Sequence, residues 1–156
     1  MIPVLEQLAL RIRDEIGELE LTIKRAKEGI ELAKQTNDDH YLDGVALNLH
    51  GFYSGLERLF ELIATQVDNS RPQGENWHQV LLNQMSEEIP EVRPAVISHQ
   101  VKNDLDEYRG FRHVVRNVYA YKFNESRIEK LVKKVSPLFS KLKSELTAFA
   151  DFLENK

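Results

Sequence analysis

The sequence contains no cysteine, which excludes disulfide bonds, a cysteine nucleophile and thiolate metal ligands. It has no uninterrupted run of about 18 apolar residues, the length a membrane-spanning helix needs. Its first 15 residues also lack the basic start and apolar stretch of a secretory signal. These absences predict a soluble, cytoplasmic protein with no membrane segment. The sequence also lacks a glycine-rich phosphate loop, and we expect no cofactor.

Glycine and proline are scarce, at 7 and 5 of 156 residues, whereas 42% of the residues are hydrophobic. A chain of this length and composition can bury a substantial core, so we expect one domain over residues 1–156. The net charge is −4, and the protein as a whole should not be attracted to nucleic acid or to an anionic membrane. Binding to either would require a local basic patch.

Apolar residues recur every three or four positions over most of the chain, which is the period of amphipathic helices. The pattern predicts a first helix over residues 4–36, a second that ends near Gln66, and a short third helix around residues 77–85. Short polar residues at 36–40 and a Pro/Gly turn at 68–74 separate them. We found no strand-like alternation of apolar and polar residues.

A fourth helix is expected from about residue 95 to residue 123, and a fifth follows Asn124. Ser126 and Glu129 have the spacing of a capping box at the start of the fifth helix. Pro137 should either kink this helix or mark a break and restart. The predicted fold class is all-α, an antiparallel bundle of four to five helices.

The fourth predicted helix carries a basic segment, because residues 109–123 contain no acidic residue. A helical wheel places its polar side chains on one side and its phenylalanine and valines on the other. The polar side comprises Arg109, Arg112, His113, Arg116, Asn117 and Tyr119. Guanidinium groups bind phosphate oxygens with paired donors, and tyrosine rings stack on bases, so this side is typical of a nucleic-acid-binding surface.

A solvated arginine face, neutralised by neighbouring acidic helices, is the simpler interpretation. Against it, no Asp or Glu within residues 108–121 occupies the positions three or four residues away that helical ion pairs use. The like charges at 109, 112 and 116 therefore call for an anion or for an acidic partner surface.

Arg112, followed by four residues, Asn117, one residue and Tyr119, resembles a motif of the HepT-like branch of the HEPN superfamily. The family motif is Arg, four to six residues, His, one residue, Tyr. The resemblance implies an all-helical toxin that dimerises so that two motifs face one cleft. It further implies metal-independent RNA cleavage through the RNA's own 2′-hydroxyl, and control by a nucleotidyltransferase antitoxin as partner.

By this resemblance, Arg112 would contact the phosphate and Tyr119 would be the motif tyrosine, which can receive a transferred nucleotide. Asn117 stands where the motif has histidine, and an amide cannot accept and return a proton near neutral pH. His113 lies one turn earlier and is the candidate to supply the imidazole. Whether the protein is an enzyme thus stays open: the hypotheses are a homodimeric ribonuclease, a catalytically silent module that binds RNA or the nucleotidyltransferase, and a plain helical adaptor.

Other candidate groups are weaker. Glu75 and His78 have the Glu-x-x-His spacing of di-iron bundles, which need a second such pair that the sequence lacks. Asp39, His40 and Asp43 could share one side of a helix start, where the acids are expected to complement the helix dipole, and no metal site is predicted. His50, His78 and His99 show no spacing that links them to one another. Tyr53, Glu57 and Arg58 share a partly polar side of the second helix and, in a two-fold dimer, could line the same cleft as the arginines.

Overall fold

A computed structural model describes residues 3–156 of the chain, and these residues form the all-α bundle that the sequence predicts. Its five helices and one short 3₁₀ turn are, in chain order, α1 Val4–Thr36, α2 Tyr41–Gln66, α3 Trp77–Met85, α4 His99–Asn117, the turn Ala120–Lys122, and α5 Glu125–Glu154. The ends of the first three helices agree with those predicted. None of the helices in the described part of the chain is long and apolar enough to span a membrane.

The bundle is built around α2. Helix α1 packs against α2 and α5, while α4 packs against α2, α3 and α5. The residues that α2 buries include Phe52, Leu56 and Phe60, all with no exposed surface. One hydrophobic cluster contains buried side chains from every α-helix, which fixes how α2, α3 and α4 meet at one side of the bundle.

Helix α4 is shorter than predicted at both ends. It begins at His99, where the Ser98 side chain accepts a hydrogen bond from the Val101 amide, and it ends at Asn117. Val118 and Tyr119 are extended, with φ/ψ of −124/140° and −63/140°. The chain then turns back and brings the Phe123 ring to 6.3 Å from the Phe111 ring. This tertiary contact stops α4 six residues before the predicted end.

Helix α5 begins differently from the prediction and continues through its proline. The cap is Asn124, whose side chain accepts from the Arg127 amide, so the predicted capping box at Ser126 is wrong. Glu129 instead forms an ion pair with Lys34 of α1 at 2.9 Å. Pro137 lies inside one uninterrupted helix, because the apolar face on both sides of it packs against α1 and α2.

A basic cavity between α3 and α4

An open cavity of about 390 Å³ lies where α3 meets α4. Its lining brings together basic and polar side chains from the two helices and from the turn before α3, namely Glu75, Asn76, His78, Gln79, Arg109, Arg112, His113, Arg116 and Asn117. Five of the six residues predicted for the polar side of α4 thus surround one space. We call this space the basic cavity.

Arg112 is the arginine that the fold holds most firmly. Its Nε donates to the Ser54 hydroxyl at 2.9 Å, and its Nη2 lies 3.8 Å from Oε1 of Glu57. Only 17% of its side chain is exposed. Both partners belong to α2, so the guanidinium is oriented by the bundle before any ligand arrives.

The other two arginines are bound less tightly. Arg109 donates from Nε to Asp106 at 2.7 Å, a helical pair three residues apart. Arg109 therefore does not need the anion or acidic partner surface that the sequence predicted for it, because Asp106 lies just outside residues 108–121. Arg116 is exposed and forms no ion pair within residues 3–156. The unpaired charge is concentrated toward the end of α4.

Glu57 and His78 form a pair that the sequence analysis did not connect. Oε2 of Glu57 lies 2.8 Å from Nδ1 of His78, and the two side chains are 5% and 26% exposed. The His78 ring stacks on Trp77, with centroids 3.7 Å apart. The sequence predicted Glu57 as a possible cleft residue. It did not predict the pair, because Glu57 and His78 are 21 positions apart. A useful signal was available, since an acid within the apolar stripe of α2 must find a partner when it is buried.

Asn117 and His113 are joined across one turn of α4. The Asn117 amide donates to the His113 carbonyl at 2.7 Å, and the same nitrogen lies 3.3 Å from Nδ1 of His113. Both residues are exposed. Asn117, which occupies the position of the motif histidine, and His113, the candidate imidazole, therefore lie side by side in the basic cavity.

Tyr119 lies outside the helix on which it was predicted. Its side chain is 72% exposed and stacks on Tyr121, with centroids 6.0 Å apart and planes 12° apart. Because the chain leaves α4 at Val118, Tyr119 does not continue the arginine strip and does not line the basic cavity.

His50 shows that the positive charge extends across α2. Burial lowers the pKa of its half-buried imidazole, and the charges of Arg112, Arg116 and Arg58 lower that pKa further. The sequence did not link His50 to Arg112 or Arg116, because their proximity comes from the packing of α4 on α2.

The acids near His40 form a separate, exposed group. Asp38, Asp39 and His40 place possible ligand atoms within 4.8 Å of one another, whereas Asp43 is not part of the group. The His40 ring and amide both bond to Asp38, which lowers the pKa of that carboxyl. These contacts are those of a turn before α2.

Comparison with known families shows the family to which the chain belongs. A family model described as HepT-like protein matches residues 44–153, which is most of the chain. The chain belongs to the HepT-like family. The resemblance drawn from Arg112, Asn117 and Tyr119 is thereby confirmed at the level of the family. Neither a curated protein nor a solved structure matches this HepT-like protein.

Proposed function

We propose that this HepT-like protein binds RNA in the basic cavity and cleaves it without a metal ion, as a toxin-type homodimer. The observation that supports this most directly is the convergence of Arg109, Arg112, Arg116 and two imidazoles on one open space. Guanidinium groups fit phosphate oxygens, and such a cluster on a chain of net charge −4 is a local anion site.

In the proposed reaction the 2′-hydroxyl of RNA attacks the neighbouring phosphorus. Arg112 would stabilise the negative charge that develops on the phosphoryl oxygens, and its fixed position favours this because a preorganised donor needs no rearrangement during the reaction. Asn117 occupies the position of the motif histidine without being able to transfer a proton. His113, beside it, would supply an imidazole for proton transfer.

The homodimer is part of the proposal. Val118, Tyr119 and Tyr121 are 37%, 72% and 81% exposed and come directly after the end of α4 at Asn117. A second copy related by a two-fold axis would cover apolar surface of this kind and place two arginine strips on one groove. Helices α2 and α4 are the surfaces that we expect to pair.

Control by a nucleotidyltransferase antitoxin is the corresponding partner hypothesis. Tyr119 is well exposed, so an enzyme can reach its hydroxyl. A nucleotide attached there would carry phosphate charge next to a basic surface, which would compete with RNA for the arginines. We expect mass spectrometry to show the modification on Tyr119 when the two proteins are expressed together.

The test is cleavage of a labelled RNA pool in EDTA by the purified, unmodified protein. We expect products with 2′,3′-cyclic phosphate ends, and a loss of about 10²- to 10⁴-fold in rate for Arg112→Ala and for His113→Ala. Arg25→Ala changes an exposed arginine on α1, away from the cavity, and should cleave normally. If Arg25→Ala and Arg112→Ala behave alike, or the unmodified protein cuts nothing, the ribonuclease proposal fails.

The alternative is a catalytically silent module that binds RNA or the nucleotidyltransferase. Asn117 favours it, because the motif position lacks a proton-transfer group. Under this alternative the protein binds 2′-O-methyl RNA or the nucleotidyltransferase with Arg112 dependence, while cyclic phosphate ends never form.

A further inference from the structure

We infer that His78, oriented by the buried Glu57, is the catalytic base of the basic cavity and takes the proton of the attacking 2′-hydroxyl. The inference rests on the proposed ribonuclease function and adds a residue from outside the α4 motif. It supplies the proton acceptor that Asn117 cannot be.

The first observation is how Glu57 is used. Only 5% of its side chain is exposed, and an ionised carboxylate is costly to bury unless charged or hydrogen-bonded partners meet it. Its two oxygens are divided between His78, at 2.8 Å, and Arg112, at 3.8 Å. If Glu57 served only to balance the charge of Arg112, its contact with Arg112 would be enough. The shorter contact of Glu57 is made to the His78 imidazole instead.

The second observation is which ring nitrogen remains. A carboxylate accepts, so Nδ1–H of His78 donates to Glu57, and the neutral ring then carries its lone pair on Nε2. His78 is partly exposed, and its exposed surface lines the basic cavity together with Arg112 and His113. Stacking on Trp77 fixes the ring plane. A base held by a third group in this way is the general arrangement for activating a hydroxyl nucleophile.

The third observation is that α3 and α4 each supply one imidazole to the lining of the same space, His78 and His113. In the step we infer, Nε2 of His78 accepts the 2′-hydroxyl proton while the 2′-oxygen bonds to phosphorus. The bond from phosphorus to the 5′-oxygen breaks, and His113, in its protonated form, donates a proton to that oxygen. The products are a 2′,3′-cyclic phosphate and a 5′-hydroxyl, and proton exchange with water restores both histidines.

The experiment compares His78→Asn, Glu57→Gln and His99→Asn with the unmodified protein. Asparagine can still donate to Glu57 but has no group in place of Nε2. Glutamine keeps the size of Glu57 but removes its charge. His99 is exposed on the first turn of α4 and does not line the cavity, so His99→Asn is the matched control. Cleavage is measured in EDTA, and binding is measured separately with 2′-O-methyl RNA, which lacks the nucleophile.

We expect His78→Asn to lower kcat by about 10²- to 10⁴-fold and to leave KM and the affinity for 2′-O-methyl RNA unchanged. Glu57→Gln should lower kcat less, since Glu57 acts on the proton transfer through His78. A purely structural role for the pair would instead weaken RNA binding or the fold together with the rate. If His78→Asn cleaves as fast as His99→Asn, the inference is wrong while the proposed function stands.

A second measurement needs no variant. Nitrogen NMR of ¹⁵N-histidine-labelled protein should show the His78 tautomer with the proton on Nδ1, and its Nε2 signal should shift when 2′-O-methyl RNA is added. The opposite tautomer would overturn the inference even if His78→Asn did not fold. If the unmodified protein neither cleaves RNA nor binds the analogue, the proposed function fails and the inference with it.

Discussion

Arg93 and Glu57 are both charged residues that the fold buries, but their partners differ. Arg93 has no exposed side-chain surface, and neither does its partner Asp68. Its guanidinium donates to both Asp68 oxygens, at 2.6 and 2.8 Å, and to the carbonyls of Gln84, Glu87 and Pro94. Every donor group is used within the protein. The carboxylate of Glu57 instead meets two residues that border the basic cavity.

Replacing Arg93 should therefore affect stability strongly. We expect Arg93→Ala to lower the free energy of unfolding by about 3–5 kcal/mol, because it leaves the Asp68 charge buried and unpaired. Arg71→Ala breaks a pair with Glu61 in which the arginine is 57% exposed, and should cost no more than about 1 kcal/mol. Urea unfolding of the two variants measures the difference, and equal losses would contradict this account.

The titration of His50 provides a test of the charge around the cavity. Its pKa should lie below 6.5, because burial and the nearby arginines disfavour the imidazolium. The native state then favours neutral His50, so the stability linked to this residue is present above pH 6.5 and is lost as the pH falls through the native pKa. Arg116→Gln should raise the His50 pKa in an NMR titration, whereas Arg25→Gln should not. A His50 pKa at or above 6.5 would argue against a concentrated positive charge.

At the scale of helices, the sequence predicted the features that depend on the local pattern of residues. The ends of α1, α2 and α3 follow from apolar periodicity and from polar or Pro/Gly turns on either side. The strip of Arg109, Arg112 and Arg116 was also predictable, because its members share one helix. The end of α4 could not be predicted, since it depends on the contact of Phe123 with Phe111. The contact between Glu57 and His78 was missed for the same reason, because it joins separate helices.

Two glycines of α1 should respond oppositely to the same substitution. A Cβ at Gly29 would lie 2.7 Å from Cγ2 of Val45 on α2, whereas a Cβ at Gly17 would have no atom within 4 Å. Gly29→Ala should lower the free energy of unfolding by about 1–3 kcal/mol through overpacking. Gly17→Ala should raise it by up to about 1 kcal/mol, because alanine is the better helix former. Thermal unfolding of the two variants measures both changes in stability. If both variants are more stable than the unmodified protein, α1 and α2 can move apart to accept the added methyl group at Gly29.

At the scale of the whole molecule, the proposed functional surface is confined to one side. Residues of α3, α4 and the turn before α3 line the cavity. Helix α2 holds two of the lining side chains, because Ser54 contacts Arg112 and Glu57 contacts His78. Helix α1 packs against α2 and α5 and supplies no residue of the lining. The family match, over residues 44–153, begins after α1 and includes the whole cavity. Excess acidic residues elsewhere leave this side as the place for a polyanion.

The salt dependence of RNA binding should report how many arginines act together. With three cavity arginines per protomer, a dimer that uses all of them would give a slope of log K against log salt near about −4 for single-stranded RNA, and a monomer about −2. Binding of 2′-O-methyl RNA over a salt series, with the oligomeric state measured by light scattering, distinguishes the two. A slope near zero would indicate that the arginines do not meet phosphate.

The nine-residue length of α3 has a consequence for how the cavity can change. His78 lies at the start of α3, and the other end of that helix is held by its buried apolar side chains and by hydrogen bonds that join Gln84 to Asp68 and Arg93. The distance between the Arg112 guanidinium and the His78 imidazole therefore depends on how both ends of α3 are held. We expect substitutions between residues 86 and 98 to change turnover without altering any group that is proposed to contact the RNA.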